Sequence, residues 1–157
     1  MPSTTAETKL EEARKLLRLF LNDTPELNRL ILREESDAAK LDLALRLAID
    51  DYNITAPILT PVNIANFPSL WLLLYGAAIQ TLRSNGLLQS RNELVYSSGG
   101  VSVRIFDKTQ LYQSWIAQFF AEYEMKKKHF KISMNVTDAM LAQVGVHSEY
   151  ESLAHYW

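Results

Sequence analysis

Apolar residues recur at helical spacing in the first part of the chain and predict two amphipathic helices. The first starts near Thr4, ends at Asn22-Asp23 and has an apolar face formed by Leu10, Ala13, Leu16, Leu17, Phe20 and Leu21. The second follows Ser36, the expected N-cap residue, and its stripe consists of Leu41, Leu45, Ala48 and Tyr52, with Ala44 and Ile49 beside it. Between them, Thr24-Pro25 predicts a short helix, because proline suits the first helical position.

The middle of the chain changes from a loop to a helix with almost no polar face. Three prolines predict a connecting loop over residues 56–68, since proline lacks an amide and disfavours helix at the preceding residue. The segment from Ser69 to Ser84 is apolar nearly all round, which predicts a helix surrounded by others. Its Gly76-Ala77-Ala78 would allow close helix approach, and Asn85-Gly86 predicts its end.

The pattern changes again after this buried helix. Two short strands at about 94–105, joined by Ser97-Ser98-Gly99-Gly100, predict a β-hairpin. A further helix is predicted from Asp107 through at least Lys128. It carries a wide aromatic surface formed by Trp115, Phe119, Phe120 and Tyr123. Such a surface is equally compatible with packing in the core and with contact between subunits.

From Ser133 onward the helical pattern weakens. A short helix ending at Gly145 is expected, followed by a segment without clear period that ends in aromatic residues. The sequence thus predicts a mainly α fold, a helical bundle of about five helices with a small β-hairpin and an extended C-terminal arm. The bundle and hairpin occupy residues 1–132, and the arm, residues 133–157, is expected to dock elsewhere because its aromatic end favours burial.

Composition narrows the classes of function. The chain has 157 residues, of which 48% are hydrophobic and 22% charged, and this fits one compact domain. It has no cysteine, which excludes disulfides and thiolate chemistry and fits a reducing cytoplasm. The net charge of −2 does not favour general nucleic-acid binding. The longest apolar run, Leu70 to Ile79, is too short to span a membrane.

Candidate chemistry is sparse. Asp50, Asp51 and Asn53 sit at a helix end where their side chains diverge, and no calcium-type ligand loop follows, so no metal site is predicted. The three histidines, His129, His147 and His155, have neither the spacing of a metal pair nor a nucleophile motif nearby. No catalytic residue and no cofactor are predicted, and the chain is expected not to be an enzyme.

A lysine cluster at the end of the last long helix is the strongest electrostatic feature. Lys126, Lys127, Lys128 and Lys131 are expected to face a nucleic-acid backbone or an acidic partner, while a solvated helix end is the plainer interpretation. Repeated around a ring of subunits, the cluster would become a positive band.

Several segments occur together in an order that is typical of one family. They are the helix Ser36 to Tyr52, the loop ending Asn66-Phe67-Pro68, the helix through Gly76-Ala77-Ala78, the segment from Leu87 to Tyr96 with its Gly99-Gly100 hairpin, and the long lysine-ended helix. Over about Asp23 to Met134 the chain resembles the head–tail connector proteins of tailed bacteriophages, also called neck or adaptor proteins. The resemblance implies a helical bundle that forms a closed ring, commonly of about twelve copies, beneath the portal.

The resemblance also implies a location and partners. The protein would be a structural component of the virion neck, made in the host cytoplasm, and its ring would continue the DNA channel toward the tail. Its partners would be itself, the portal protein, the next neck or tail protein and the packaged DNA, with no membrane. Portal docking would fall to the arm, with Tyr150, Leu153, Tyr156 and Trp157 as anchors. The alternative is a non-enzymatic adaptor or regulator that binds a single bacterial protein partner.

Overall fold

The chain folds into four helices and two short strands within the described residues. The computed structural model describes residues 3–28, 34–91, 95–98, 101–104 and 109–153. The helices are α1 (Ser3–Leu21), α2 (Ala38–Ile54), α3 (Leu70–Arg91) and α4 (Thr109–Leu153). The strands β1 (Val95–Ser98) and β2 (Val101–Arg104) pair antiparallel, and the predicted turn at Gly99-Gly100 lies outside the described residues. The mainly α class is confirmed. The bundle was predicted to have about five helices, whereas the described residues form four.

The end of α1 is where its sequence predicts. Asn22 has a left-handed φ of 54°. Its amide donates to the Leu19 carbonyl, and the next amide donates to the Arg18 carbonyl. This pairing satisfies carbonyls that the helix leaves open, and asparagine tolerates the positive φ that it requires. The chain then makes one turn from Thr24, and the rest of the predicted short helix falls on residues 29–33, which lie outside the described residues.

The buried side chain of Asp23 ties this turn to the start of α2. It accepts hydrogen bonds from the backbone amides of Glu35 at 2.6 Å and Ser36 at 2.9 Å, and from the Asn28 side chain at 2.7 Å. Burial by itself raises the pKa of Asp23, but these bonds and the charge of Arg18 together lower it by more, so the pKa lies below its ordinary value. Ser36 is therefore not the N-cap that the sequence suggested, and that position belongs to the next residue, Asp37.

The core lies between α2 and α3, with α1 packed against both. The stripe predicted on α2 is buried throughout, and the fully buried side chains of this core include Leu17, Leu41, Leu45, Ala77 and Ala78. Gly76 allows the close approach that its sequence indicates. A Cβ added there would lie 3.0 Å from the Ala48 Cβ and 3.1 Å from the Tyr123 hydroxyl oxygen.

Two helices extend beyond their predicted ends. α3 passes through Asn85-Gly86 and ends at Arg91, while α4 passes through Gly145 and ends at Leu153. The predicted extended arm is thus helical as far as Leu153, and it continues the bundle helix without a break at residue 132. A glycine inside a helix costs only about 1 kcal/mol relative to alanine, so neither glycine is an obligatory stop.

None of the helices in the described residues combines the length and the apolar character that crossing a membrane requires.

Candidate functional site

α4 is much longer than the bundle against which it packs. It has 45 residues, which corresponds to about 68 Å at 1.5 Å per residue. Its first half packs on the core through Ile116, Phe119, Tyr123 and Phe130. From residue 132 to residue 140 every side chain is exposed, so no other element of the described chain covers this part. Residues 132–153 of α4 are termed the overhang.

A buried charged cluster fixes α4 to the C-terminal part of α2. The Lys127 side chain is 1% exposed, and its Nζ lies 2.6 Å from Asp51 Oδ2 and 2.5 Å from Glu124 Oε1. The Tyr123 hydroxyl donates to the same Asp51 oxygen at 2.9 Å. Burial, followed by the charge of Asp51, raises the pKa of Tyr123 well above its ordinary value. Tyr123 therefore stays a neutral donor, and Asp51 receives two donors from α4.

Lys131 lies one turn further along α4 and caps the end of α2. It is 1% exposed, and its Nζ donates to the Tyr52 carbonyl at 2.6 Å and to the Thr55 carbonyl. Carbonyls at a helix C-terminus lack intrahelical donors and attract positive charge, so a lysine suits this position. Burial lowers the pKa of Lys131, and the nearby Lys127 lowers it further, against the opposing effect of Asp51.

The four lysines do not form one exposed basic surface, which corrects the interpretation of the cluster. Lys127 and Lys131 are four residues apart on the face of α4 that packs on the bundle, and their bonds lie within the chain. Lys126 is half-exposed, pairs with a glutamate one turn earlier at 2.6 Å and lies 4.1 Å from the centre of the Trp71 ring. Lys128 is exposed. Only Lys126 and Lys128 therefore remain available to DNA or an acidic partner.

The aromatic surface predicted on α4 divides between core and solvent. Tyr123 is buried, and Phe119 is half-buried, with its ring centre 5.6 Å from that of Tyr75. Trp115 and Phe120 are instead 47% and 40% exposed. Core packing thus applies to Phe119 and Tyr123, whereas Trp115 and Phe120 remain accessible for subunit contact.

The overhang presents a row of exposed apolar side chains. Ile132, Val136 and Met140 lie four residues apart along one side of the helix and are 53%, 47% and 64% exposed. Successive positions four apart lie above one another on a helix, so the three form a continuous strip. A contiguous exposed apolar strip is typical of an interaction site.

The predicted portal anchors lie at the far end of this helix or beyond it. Tyr150 and Leu153 belong to the last turn of α4, but their side chains lie outside the described part, as Tyr156 and Trp157 do entirely. The structure therefore places the first two on the same helix as the exposed apolar strip.

Two of the three polar residues at the end of α2, Asp51 and Asn53, have structural partners. Asp51 binds Lys127 and Tyr123, and the Asn53 side chain exchanges two hydrogen bonds with the backbone of Val62, at 3.0 and 2.9 Å. These bonds hold the loop before α3 against α2. Within the described ranges, no group of three or more acidic, histidine or cysteine side chains is placed to hold a metal ion.

Comparisons with protein-family models, with curated proteins and with solved structures find no match to this chain. Its function is therefore inferred from its own residues and surfaces.

Proposed function

We propose that this chain is a structural protein of the phage neck, not an enzyme, and that it works by binding other protein subunits. The observation that supports this proposal is the overhang, which extends roughly 33 Å from a firmly held base. Most helical stability in proteins comes from tertiary packing, and no described element packs on residues 132–140 of the overhang. An overhang with an exposed apolar strip is therefore expected to pack against a partner.

In this proposal the bundle and the β1–β2 pair form the body of a closed ring of about twelve copies. The ring lies in the virion between the portal and the next neck or tail protein, and it continues the DNA channel. The overhang and the residues after it dock on the portal, with Tyr150, Leu153, Tyr156 and Trp157 as anchors. Repetition around the ring turns a modest contact into a tight attachment.

The exposed lysines have a place in the same arrangement. Lys126 and Lys128 lie at the base of the overhang and face the DNA channel or an acidic neighbouring subunit. Such contacts neutralise phosphate charge and are independent of DNA sequence. A structure of the assembled ring with both lysines on its outer wall would contradict the channel placement.

Native mass spectrometry with the portal protein of the same genome tests the proposal. The portal is expected to gain about twelve copies of this chain, because a closed ring has to match the symmetry of its support. A portal whose mass remains unchanged at saturating protein would contradict the neck function.

A deletion tests which part of the chain docks. Removing residues 146–157 is expected to abolish portal binding while the bundle stays folded, because α4 is anchored at Lys127 and Lys131. The matched control is Ile58→Ser, which changes a side chain that is 78% exposed in the loop before α3 and should leave binding intact. Unchanged portal binding after the deletion would exclude the arm as the docking element.

A groove supports the alternative function, an adaptor that binds one bacterial protein. A cavity of about 470 Å³ lies between α1, α2 and the loop before α3, and its apolar walls are formed by Leu10, Leu45, Ile49, Val62 and Ile64. Charged side chains, Glu7, Arg46 and Asp50, also line it. A groove of this composition suits one amphipathic segment of a partner. The adaptor would form a complex of one chain with one partner and would leave the portal mass unchanged.

A further inference from the structure

The sequence of the overhang carries a heptad repeat. Steps of four and three residues connect Ile132, Val136, Ala139, Gln143, Val146, Tyr150 and Leu153. This spacing keeps one seam of a helix facing a partner helix and is typical of coiled coils. Ile132 and Val136, the first two members, are 53% and 47% exposed, so the seam is uncovered where it leaves the bundle.

We propose that the free protein is a dimer in which the overhangs of two copies pair as an antiparallel coiled coil. This inference goes beyond the neck function, since it concerns the chain before it meets the portal. The dimer would bury Ile132 and Val136, two members of the apolar strip, and it would have to open before the same helix could dock.

A second copy is the occupant that the seam fits. No element of the described chain covers residues 132–140, and a heptad seam is complementary to another of the same kind. In an antiparallel pair, the start of the seam in one copy lies beside the end of the seam in the other. At the centre of the pair, the small Ala139 of each copy lies opposite the longer Gln143 of the other. The resulting layers are Ile132 with Tyr150, Val136 with Val146, and Ala139 with Gln143.

Charge favours the antiparallel orientation. The chain has no lysine or arginine after Lys131, and the far end of the overhang carries Glu149 and Glu151. The base of α4 instead exposes Lys126 and Lys128. Antiparallel pairing brings the acidic end of one overhang beside the basic base of the other, and it aligns the two helix dipoles favourably. Parallel pairing would bring the acidic ends together.

The native mass of the protein alone, over a dilution series, tests the dimer. Wild type is expected at twice the 17.9 kDa of one chain. Val136→Glu places a charge in the seam and should give a monomer, while Thr137→Glu adds the same charge one residue away, outside the seam, and should remain a dimer. Circular dichroism should show a folded bundle in both variants. A monomeric wild type, a ring-sized mass, or equal behaviour of the two variants would overturn the proposal.

Cysteine cross-linking tests the orientation, because the chain has no cysteine of its own. A mixture of Ile132→Cys and Tyr150→Cys chains is expected to form a disulfide between the two variants under mild oxidation. Ile132→Cys alone should cross-link poorly, since antiparallel pairing separates the two copies of residue 132. Efficient cross-linking of Ile132→Cys with itself would overturn the antiparallel arrangement.

The two proposals fail in different experiments. A dimer that adds no mass to the portal would leave the coiled coil standing and contradict the neck function. A wild-type monomer that adds to the portal would support the neck function and overturn the coiled coil.

Discussion

Gly76 of α3 lies against both Ala48 of α2 and Tyr123 of α4. Gly76→Ala is expected to lower the free energy of unfolding by about 1–3 kcal/mol, because the added methyl group meets atoms that are held in place. The Ala48 Cβ, at 3.0 Å, is bonded directly to the α2 backbone and has no rotamer by which to move away, and the Tyr123 hydroxyl is held by its hydrogen bond to Asp51. Urea denaturation measures this change.

Gly86 provides the matched control in the same helix. A Cβ added there would have its nearest neighbour, the Tyr112 Cβ, at 3.5 Å, which is an ordinary contact. Gly86→Ala is therefore expected to raise the free energy of unfolding by about 0.5–1 kcal/mol, since alanine loses less backbone entropy in a helix. A stabilising Gly76→Ala would contradict the close approach of α2 and α4.

Asp23 is expected to make stability sensitive to acid. Its pKa in the folded protein lies below the unfolded value of about 3.9. Its contribution is therefore complete above the unfolded pKa and is lost as pH falls through the folded pKa. Asp23→Asn should lower the free energy of unfolding by about 1–3 kcal/mol at neutral pH, and stability should then fall less steeply below pH ~4.

Urea denaturation at a series of pH values checks this expectation. Asp50→Asn, which changes an exposed carboxylate on α2, serves as the control and should keep the wild-type stability at neutral pH. If Asp23→Asn loses stability in acid as steeply as wild type, Asp23 is not the group responsible.

The attachment of α4 to α2 depends on the pairing of Lys127 with Asp51. Lys127→Met is expected to lower the free energy of unfolding by about 1–3 kcal/mol, less than a fully buried pair would lose, because Asp51 is 35% exposed and water can replace part of the contact. The double variant Lys127→Met/Asp51→Asn should lose less than the sum of the single variants. The exposed Lys128→Met should change stability by less than about 0.5 kcal/mol. Additive single effects in denaturant titrations would contradict the pairing.

Sequence periodicity predicts elements that bury one face, since burial leaves a regular pattern of apolar positions. The stripe of α2 is an example, because all four of its members are buried. The same pattern does not predict where α3 and α4 end. Gly86 and Gly145 are favourable stop signals locally, but the helical hydrogen bonds continue through both.

The sequence did not predict the buried polar contacts that hold α4 against α2. Lysine is usually exposed, so burial of Lys127 and Lys131 is not expected from residue type alone. One signal was present, since Lys127 follows Tyr123 by four residues and shares its face. The role of Asp23 leaves no local signal, because its backbone partners lie 12 and 13 residues away.

At the scale of the whole molecule, Lys131 is the last buried residue of α4 among those whose side chains the structure describes. A chain ending at Ile132 keeps both buried lysines and is expected to retain the free energy of unfolding within about 0.5 kcal/mol. A chain ending at Met125 loses Lys127, Phe130 and Lys131, which leaves Asp51 and the end of α2 without these partners, and should lose more than ~3 kcal/mol. Urea titration of both chains beside the full-length Val136→Glu variant makes the comparison, because dimer formation by the wild type would itself raise its apparent stability. A large loss of unfolding free energy in the chain ending at Ile132 would show that the overhang stabilises its own bundle. That result would contradict the proposal that the overhang serves only to bind partners.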